Sequence, residues 1–134
     1  RYHARLAELG IDPLSRARPL IRDVVIAGSS QAAEEIAEGH LLTLYRDHYS
    51  RASHPLIGGE DPTAPDQLAA LRRDRFIIGN PEEVVGQIRR FQANYGMDEL
   101  ICRLHFPGMP PATVTEAIRL IGQEVIPAFE DAQA

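Results

Sequence analysis

The stretch Phe76-Ile77-Ile78-Gly79-Asn80-Pro81-Glu82-Glu83-Val84-Val85 constrains the fold of this chain more than any other. Phe-Ile-Ile is a short apolar run of β-favouring residues. Asn80 follows as a good helix N-cap, and Pro81 suits the first helical position, where its missing N–H would have no partner anyway. Glu83 stands three residues after Asn80 and completes a capping-box pattern. A second apolar run opens at Glu99. Strand, helix, strand at this spacing predicts a parallel βα arrangement, in which function sits at the C-terminal ends of the strands.

The rest of the chain repeats the pattern. Arg1 to Leu9 reads as the end of a helix with Leu6 and Leu9 on its apolar face, stopped at Gly10. Pro19 to Ala27 holds a first strand whose Val24-Val25-Ile26 centre predicts burial on both faces, as parallel strands require. Gly28-Ser29-Ser30 is the turn, with Ser29 or Ser30 as cap. A helix follows from Gln31 to Tyr49, with Ala33, Ile36, Ala37, Leu41, Leu44, Tyr45 and His48 on one face. Ser50 to Asp66 is rich in proline and glycine and reads as a mobile loop. A short helix from Gln67 to Arg72 leads into the Phe76 strand. The Pro81–Tyr95 helix turns Val84, Val85, Ile88, Phe91 and Tyr95 inward and ends at Gly96. A strand runs from Glu99 to His105, and Phe106-Pro107-Gly108-Met109-Pro110-Pro111 is a tight loop. A last helix spans Pro111 to Phe129 with Val114, Ala117, Ile118, Ile121 and Val125 inward. Residues 130–134 read as frayed.

The turns Ile26-Ala27-Gly28-Ser29 and Ile77-Ile78-Gly79-Asn80 echo each other as a weak repeat. Roughly three βα units are present, whereas a full (β/α)₈ barrel takes about 250 residues. The 134 residues therefore read as α/β, the C-terminal half of such a barrel. The lack of an initiator methionine agrees with a fragment.

Bulk properties exclude several classes. A net charge of −5 argues against nucleic acid as the main partner. No apolar run reaches the ~20 residues of a membrane span, and no signal peptide is visible, so a cytoplasmic location is expected. One cysteine, Cys102, precludes an internal disulfide. No Cys/His cluster points to a metal. Neither nucleotide-binding glycine fingerprint occurs.

Chemistry is concentrated on the third strand. Alternation sends Leu100, Cys102 and Leu104 one way and Ile101, Arg103 and His105 the other. With the apolar set packed on helices, Arg103 and His105 face the barrel mouth, where a cation and an imidazole suit an anionic or electron-rich ligand. The competing reading pairs Arg103 with a buried carboxylate and leaves His105 as a solvated loop residue. Ser29, Ser30, Gly79 and Asn80 lie at helix N-termini, where backbone N–H groups can take a phosphate, although capping alone also accounts for them. Cys102 reads as core rather than nucleophile. His54 reads as a solvated loop residue and His40 and His48 as helix cover. Glu34-Glu35 and Glu82-Glu83 suit first helical turns.

These residues in their order closely resemble the C-terminal part of the luciferase-like flavin-dependent monooxygenases. The resemblance rests on Phe76 to Val84, Ile88-Arg89-Arg90-Phe91, Leu100 to Leu104 with Pro107-Gly108-Met109, and Glu124-Val125-Ile126-Pro127. Arg22 to Ala27, with the Ala/Glu-rich helix ending near Tyr45 and Tyr49, is similar as well. The resemblance implies a (β/α)₈ barrel binding FMN or the deazaflavin F420 at the strand C-termini. It implies a reduced flavin that meets oxygen as a peroxyflavin and oxygenates a small organic substrate, or hydride transfer in the F420 branch. It makes Arg103 a pocket-lining, positioning group, with His105 a proton donor or acceptor and Phe106 and Gly108 following at the mouth. Arg103→Ala is then expected to weaken flavin or substrate binding without unfolding. The N-terminal strands, which the resemblance gives much of the flavin and its phosphate, are absent, so the chain is expected to pair with a missing N-terminal half or to homo-oligomerise. Two other readings stay open: a non-catalytic α/β assembly module that homo-oligomerises, and a small independent enzyme using His105 and Cys102.

Overall fold

The computed structural model describes residues 2–12, 15–49 and 65–130. Helix α1 (Tyr2–Glu8) precedes strand β1 (Pro19–Ile26). Helix α2 (Ser30–Ile36) continues into wide π-type turns over Ala37–Leu42 and Tyr45–Tyr49. Helix α3 (Pro65–Asp74), strand β2 (Phe76–Gly79), helix α4 (Pro81–Tyr95) and strand β3 (Glu99–Arg103) follow. Helix α5 (Pro111–Leu120) passes through a π-type turn, Ile121–Val125, into the short α6 (Pro127–Glu130).

The expected helix starts are made by the expected residues. Ser29 caps α2 by accepting from the Ala32 N–H at 3.2 Å. Asn80 accepts from the Glu83 N–H at 3.0 Å while Glu83 accepts from the Asn80 N–H at 2.9 Å, a complete capping box. Gly96 ends α4 at φ +63, a left-handed conformation that costs glycine nothing.

All three strands are parallel, in the order β2-β1-β3. The length of β1 makes this possible. Its C-terminal half, Asp23–Ile26, pairs with Phe76–Gly79, and its N-terminal half, Pro19–Asp23, pairs with Glu99–Arg103. Successive units of a simple barrel would lie in chain order; here the first strand is central and the other two take opposite sides and different halves of it.

Alternation along β1 builds two cores. Val24 and Ile26 join Ile77, Val84, Ile88, Phe91, Ala117 and Leu120 on the α4/α5 face. Val25 and Ala27 join Ala33, Ala37, Leu41, Tyr45, Phe76 and Phe106 on the α2 face. Each completely buried Val, Ile or Phe side chain contributes about 1.5–3 kcal/mol. The α2-side core covers only the upper half of its sheet face. Lower down, the register partners Ile21 and Ile101 are 63% and 44% exposed.

Several expectations need correction. The third strand stops at Arg103, so Leu104 and His105 lie beyond the ladder. The helices expected as Gln31–Tyr49 and Pro111–Phe129 are interrupted by π-type turns, which apolar periodicity does not distinguish from regular helix. Helix α3 begins at Pro65, inside the segment read as loop, and ends at Asp74. Leu9, Tyr95 and Ile118 are exposed rather than inward, and Leu120 takes the buried position expected of Ile118. Residues 50–64 and 131–134, including His54, lie outside the described residues, as does the side chain of His48.

Candidate functional site

Register brings Asp23 of β1 directly opposite Arg103 of β3, on the side of the sheet that α2 half covers. Asp23 is the buried charged residue of the described chain, 5% exposed. Its carboxylate accepts two hydrogen bonds from Arg103, from Nε at 2.5 Å and from Nη2 at 2.8 Å. A third comes from the Tyr45 hydroxyl at 2.8 Å. A buried carboxylate needs such compensation, and a bidentate guanidinium supplies both charge and geometry. Phe106 lies beneath the guanidinium, 5.6 Å from ring centroid to Cζ, and Phe76 packs edge-on against Tyr45 at 4.9 Å.

The cluster ties three elements together. Its electrostatics are those of a fixed, charge-compensated hub. Burial, then the neighbouring Asp23 carboxylate, pushes the Tyr45 hydroxyl well above the usual tyrosine range, so it holds its proton. Arg103 does pair with a buried carboxylate, as the competing sequence reading held, and it also borders the uncovered strip of Ile21 and Ile101. The hub orients a guanidinium at the edge of an apolar sheet face.

The other expected site residues fall elsewhere. His105 is exposed, past the end of β3. Phe106 is wholly buried in the α2-side core rather than lining a mouth. Its N–H donates to Met109 Sδ at 3.3 Å, which folds the Pro-Gly-Met turn back on itself. Gly108 takes φ +78 there, and His40 Nδ1 lies 3.2 Å from the Pro107 carbonyl, fastening this turn to the first π-type turn.

Ser29, Ser30, Gly79 and Asn80 gather at the C-terminal ends of β1 and β2. Ser30 Oγ donates to Glu83 Oε2 at 2.8 Å and accepts from Asn80 Nδ2 at 3.1 Å. Asn80 N–H and Ser30 together hold the Glu83 carboxyl below its usual range. The turn is therefore organised around a carboxylate of its own, whose charge opposes a phosphate. Cys102 faces the α4/α5 core, where burial pushes its thiol pKa up and makes it a poor nucleophile. Among the described residues no cluster of His, Cys, Asp and Glu could hold a metal ion. No described helix is long and apolar enough to cross a membrane.

Sequence reasoning missed Asp23 as the partner of Arg103, and Tyr45 as the further donor to Asp23. The available signal was an acidic residue directly before three buried β-branched residues; a charge there demands a compensating partner.

No protein-family profile matches the chain, and no curated protein does. Solved structures do. The monooxygenase RslO1 from Streptomyces bottropensis superposes with a TM-score of 0.72 over 96% of this chain and 36% of its own length, at 17% identity. A type II Baeyer–Villiger monooxygenase, the oxygenating constituent of 3,6-diketocamphane monooxygenase from the CAM plasmid of Pseudomonas putida in complex with FMN, gives 0.69 over 94% and 37% at 21% identity. These neighbours agree with the resemblance to luciferase-like flavin monooxygenases read from the sequence. This chain spans just over a third of the length of either, and it has the fold of that part of these monooxygenases.

Proposed function

We propose that this chain is the C-terminal part of a luciferase-like (β/α)₈ flavin-dependent monooxygenase acting on a small organic substrate. The observation that carries the reading is the superposition of 96% of the chain on about a third of a monooxygenase. The exposed Ile21–Ile101 face and the lower edge of β1, which pairs with no strand among the described residues, support it, because both require further chain to cover them. Residues 1–134 then form one unit.

The residues present fit part of a flavin. An apolar strip ending at the Arg103 guanidinium suits a flat ring with a carbonyl edge; the Glu83-centred turn does not suit its phosphate. The upstream part of the protein therefore holds the phosphate, and this chain contributes to the ring pocket. Bound flavin, FMN or F420, supplies the redox chemistry. Arg103, fixed by Asp23 and Tyr45, orients flavin or substrate, and His105 exchanges protons at the solvent side.

The test uses the native polypeptide that carries this sequence. Its mass is expected near that of a whole barrel, and it is expected to bind flavin and to consume oxygen when the flavin is reduced and substrate is present. A native mass near 14.8 kDa with no flavin binding would refute the reading and favour a self-assembling α/β module.

A further inference from the structure

The outer edge of β2 has no strand beside it among the described residues, yet its main chain is not bare. Successive residues of a strand turn their N–H and C=O groups to opposite sides. The Gly79 carbonyl accepts from the Ala27 N–H at 3.3 Å, so Gly79 and Ile77 face β1 while Ile78 and Asn80 face outward. Gln87 of α4 takes both outward groups of Ile78. Its Oε1 accepts from the Ile78 N–H at 3.2 Å, and its Nε2 donates to the Ile78 carbonyl at 2.8 Å. One side-chain amide thus offers Ile78 the acceptor and the donor that a neighbouring strand would offer.

Gln87 belongs to a row. Glu83, Gln87 and Arg90 stand at i, i+4 and i+7 on α4, beside the Val84, Ile88 and Phe91 row that the helix buries. Glu83 accepts from the outward Asn80 N–H at 2.9 Å. Arg90 donates at 2.9 Å to the Arg73 carbonyl, in the last turn of α3 just before β2. The three side chains therefore follow the edge from one end to the other. Helix and strand end run close together: a Cβ on Gly79 would stand 2.8 Å from that of Glu83. The groove outside the row is rimmed by Glu34, Glu83 and Arg90, charges that an incoming strand would have to desolvate.

We propose that this row is a strap that closes the outer edge of β2. It stands in for a neighbouring strand, ends the sheet on that side, and keeps β2 from pairing with a second copy of the chain. Phe76-Ile77-Ile78-Gly79 is a short apolar strand, and an open edge of that kind templates pairing between chains unless something covers it. With β2 closed, further chain joins the sheet at the lower half of β1 or the outer side of β3. On the flavin reading, barrel closure then runs through β1 and β3, with β2 outside the ring of strands. The strap itself does not depend on that reading.

The test compares the complete polypeptide that carries this sequence with its Gln87→Leu and Gln87→Ala variants. Alanine, the better helix former, keeps the test open if the leucine variant misfolds. Amide hydrogen exchange reads the strap, and light scattering reads self-association. In dilute solution the Ile78 amide is expected to exchange at least ~10-fold faster in both variants, while that of Ile77, which faces β1, stays as it was. At high concentration both variants are expected to associate beyond the state of the unsubstituted protein, and that association is expected to slow Ile78 again. Gln92→Leu adds an apolar side chain at an exposed position of α4 away from the edge and is expected to leave both readouts unchanged. The proposal is overturned by unchanged Ile78 exchange in a folded variant, by a freed edge that brings no association, or by association that leaves Ile78 fast. Flavin binding is read separately, so either proposal can fail alone.

Discussion

The Asp23–Arg103 pair yields the prediction that bears most directly on what holds the hub together. Removing Arg103 leaves a 5%-exposed carboxylate with two hydrogen bonds fewer, at 2.5 and 2.8 Å. Breaking a wholly buried pair from one side costs about 3–5 kcal/mol. The Arg103 side chain, however, is 39% exposed. Water reaches it, so Arg103→Gln is expected to cost about 2–3 kcal/mol. Asp23→Asn keeps one acceptor oxygen and is expected to cost about 1–2 kcal/mol. The two changes share one interaction, so the double variant should fall short of their sum by about 1–2 kcal/mol. Urea titration followed by far-ultraviolet circular dichroism at pH 7 measures all three, with the slope m unchanged if the native state stays compact. A coupling energy below about 0.5 kcal/mol would refute the argument. Arg103→Ala would then behave as the resemblance alone implies, with weakened binding and full stability. The structure instead predicts that stability falls together with binding.

Tyr45→Phe keeps the ring against Phe76 and removes one hydrogen bond to Asp23; a loss of about 1 kcal/mol is expected by the same titration, and no loss would show the hydroxyl to be idle. The raised Tyr45 pKa gives stability that is complete below the unfolded tyrosine value of about 10 and declines as pH climbs above it, so the alkaline decline should be shallower in Tyr45→Phe. Gly79→Ala would set a Cβ 2.8 Å from the Cβ of Glu83 and against its carboxylate, and should lower stability by about 1–3 kcal/mol; a neutral outcome would mean that the capping box relaxes freely. Cys102 should resist a thiol reagent in the folded chain and react at least ~100-fold faster in urea; rapid native labelling would revive the enzyme reading based on this thiol.

What could be read from the sequence follows the range of each signal. The Asn80–Glu83 capping box, the Ser29 cap and the Gly96 stop are satisfied by neighbours within a few residues, and the chain spells them out. The alternation of Leu100 and Cys102 against Ile101 and Arg103 also came through, because a strand's period of two needs no knowledge of its partner. Strand order and the identity of Arg103's partner depend on residues 80 positions apart, and no local pattern records which half of β1 each neighbour takes. Tyr95 has the spacing of an inward residue, yet it lies at the end of α4, stacked on Phe91 beside Arg22. Phe106 lies three residues after Arg103 in sequence, yet the turn that Met109 closes drives it into the core. At both places periodicity assigns a side chain a facing that its contacts overrule, Tyr95 stacked on Phe91 beside Arg22 and Phe106 folded in by the turn that Met109 closes. Asp23 was the recoverable case: a carboxylate beside Val24-Val25-Ile26 had to be buried, a buried carboxylate has to be paired, and Arg103, at the end of the neighbouring strand, was the cation that could reach it.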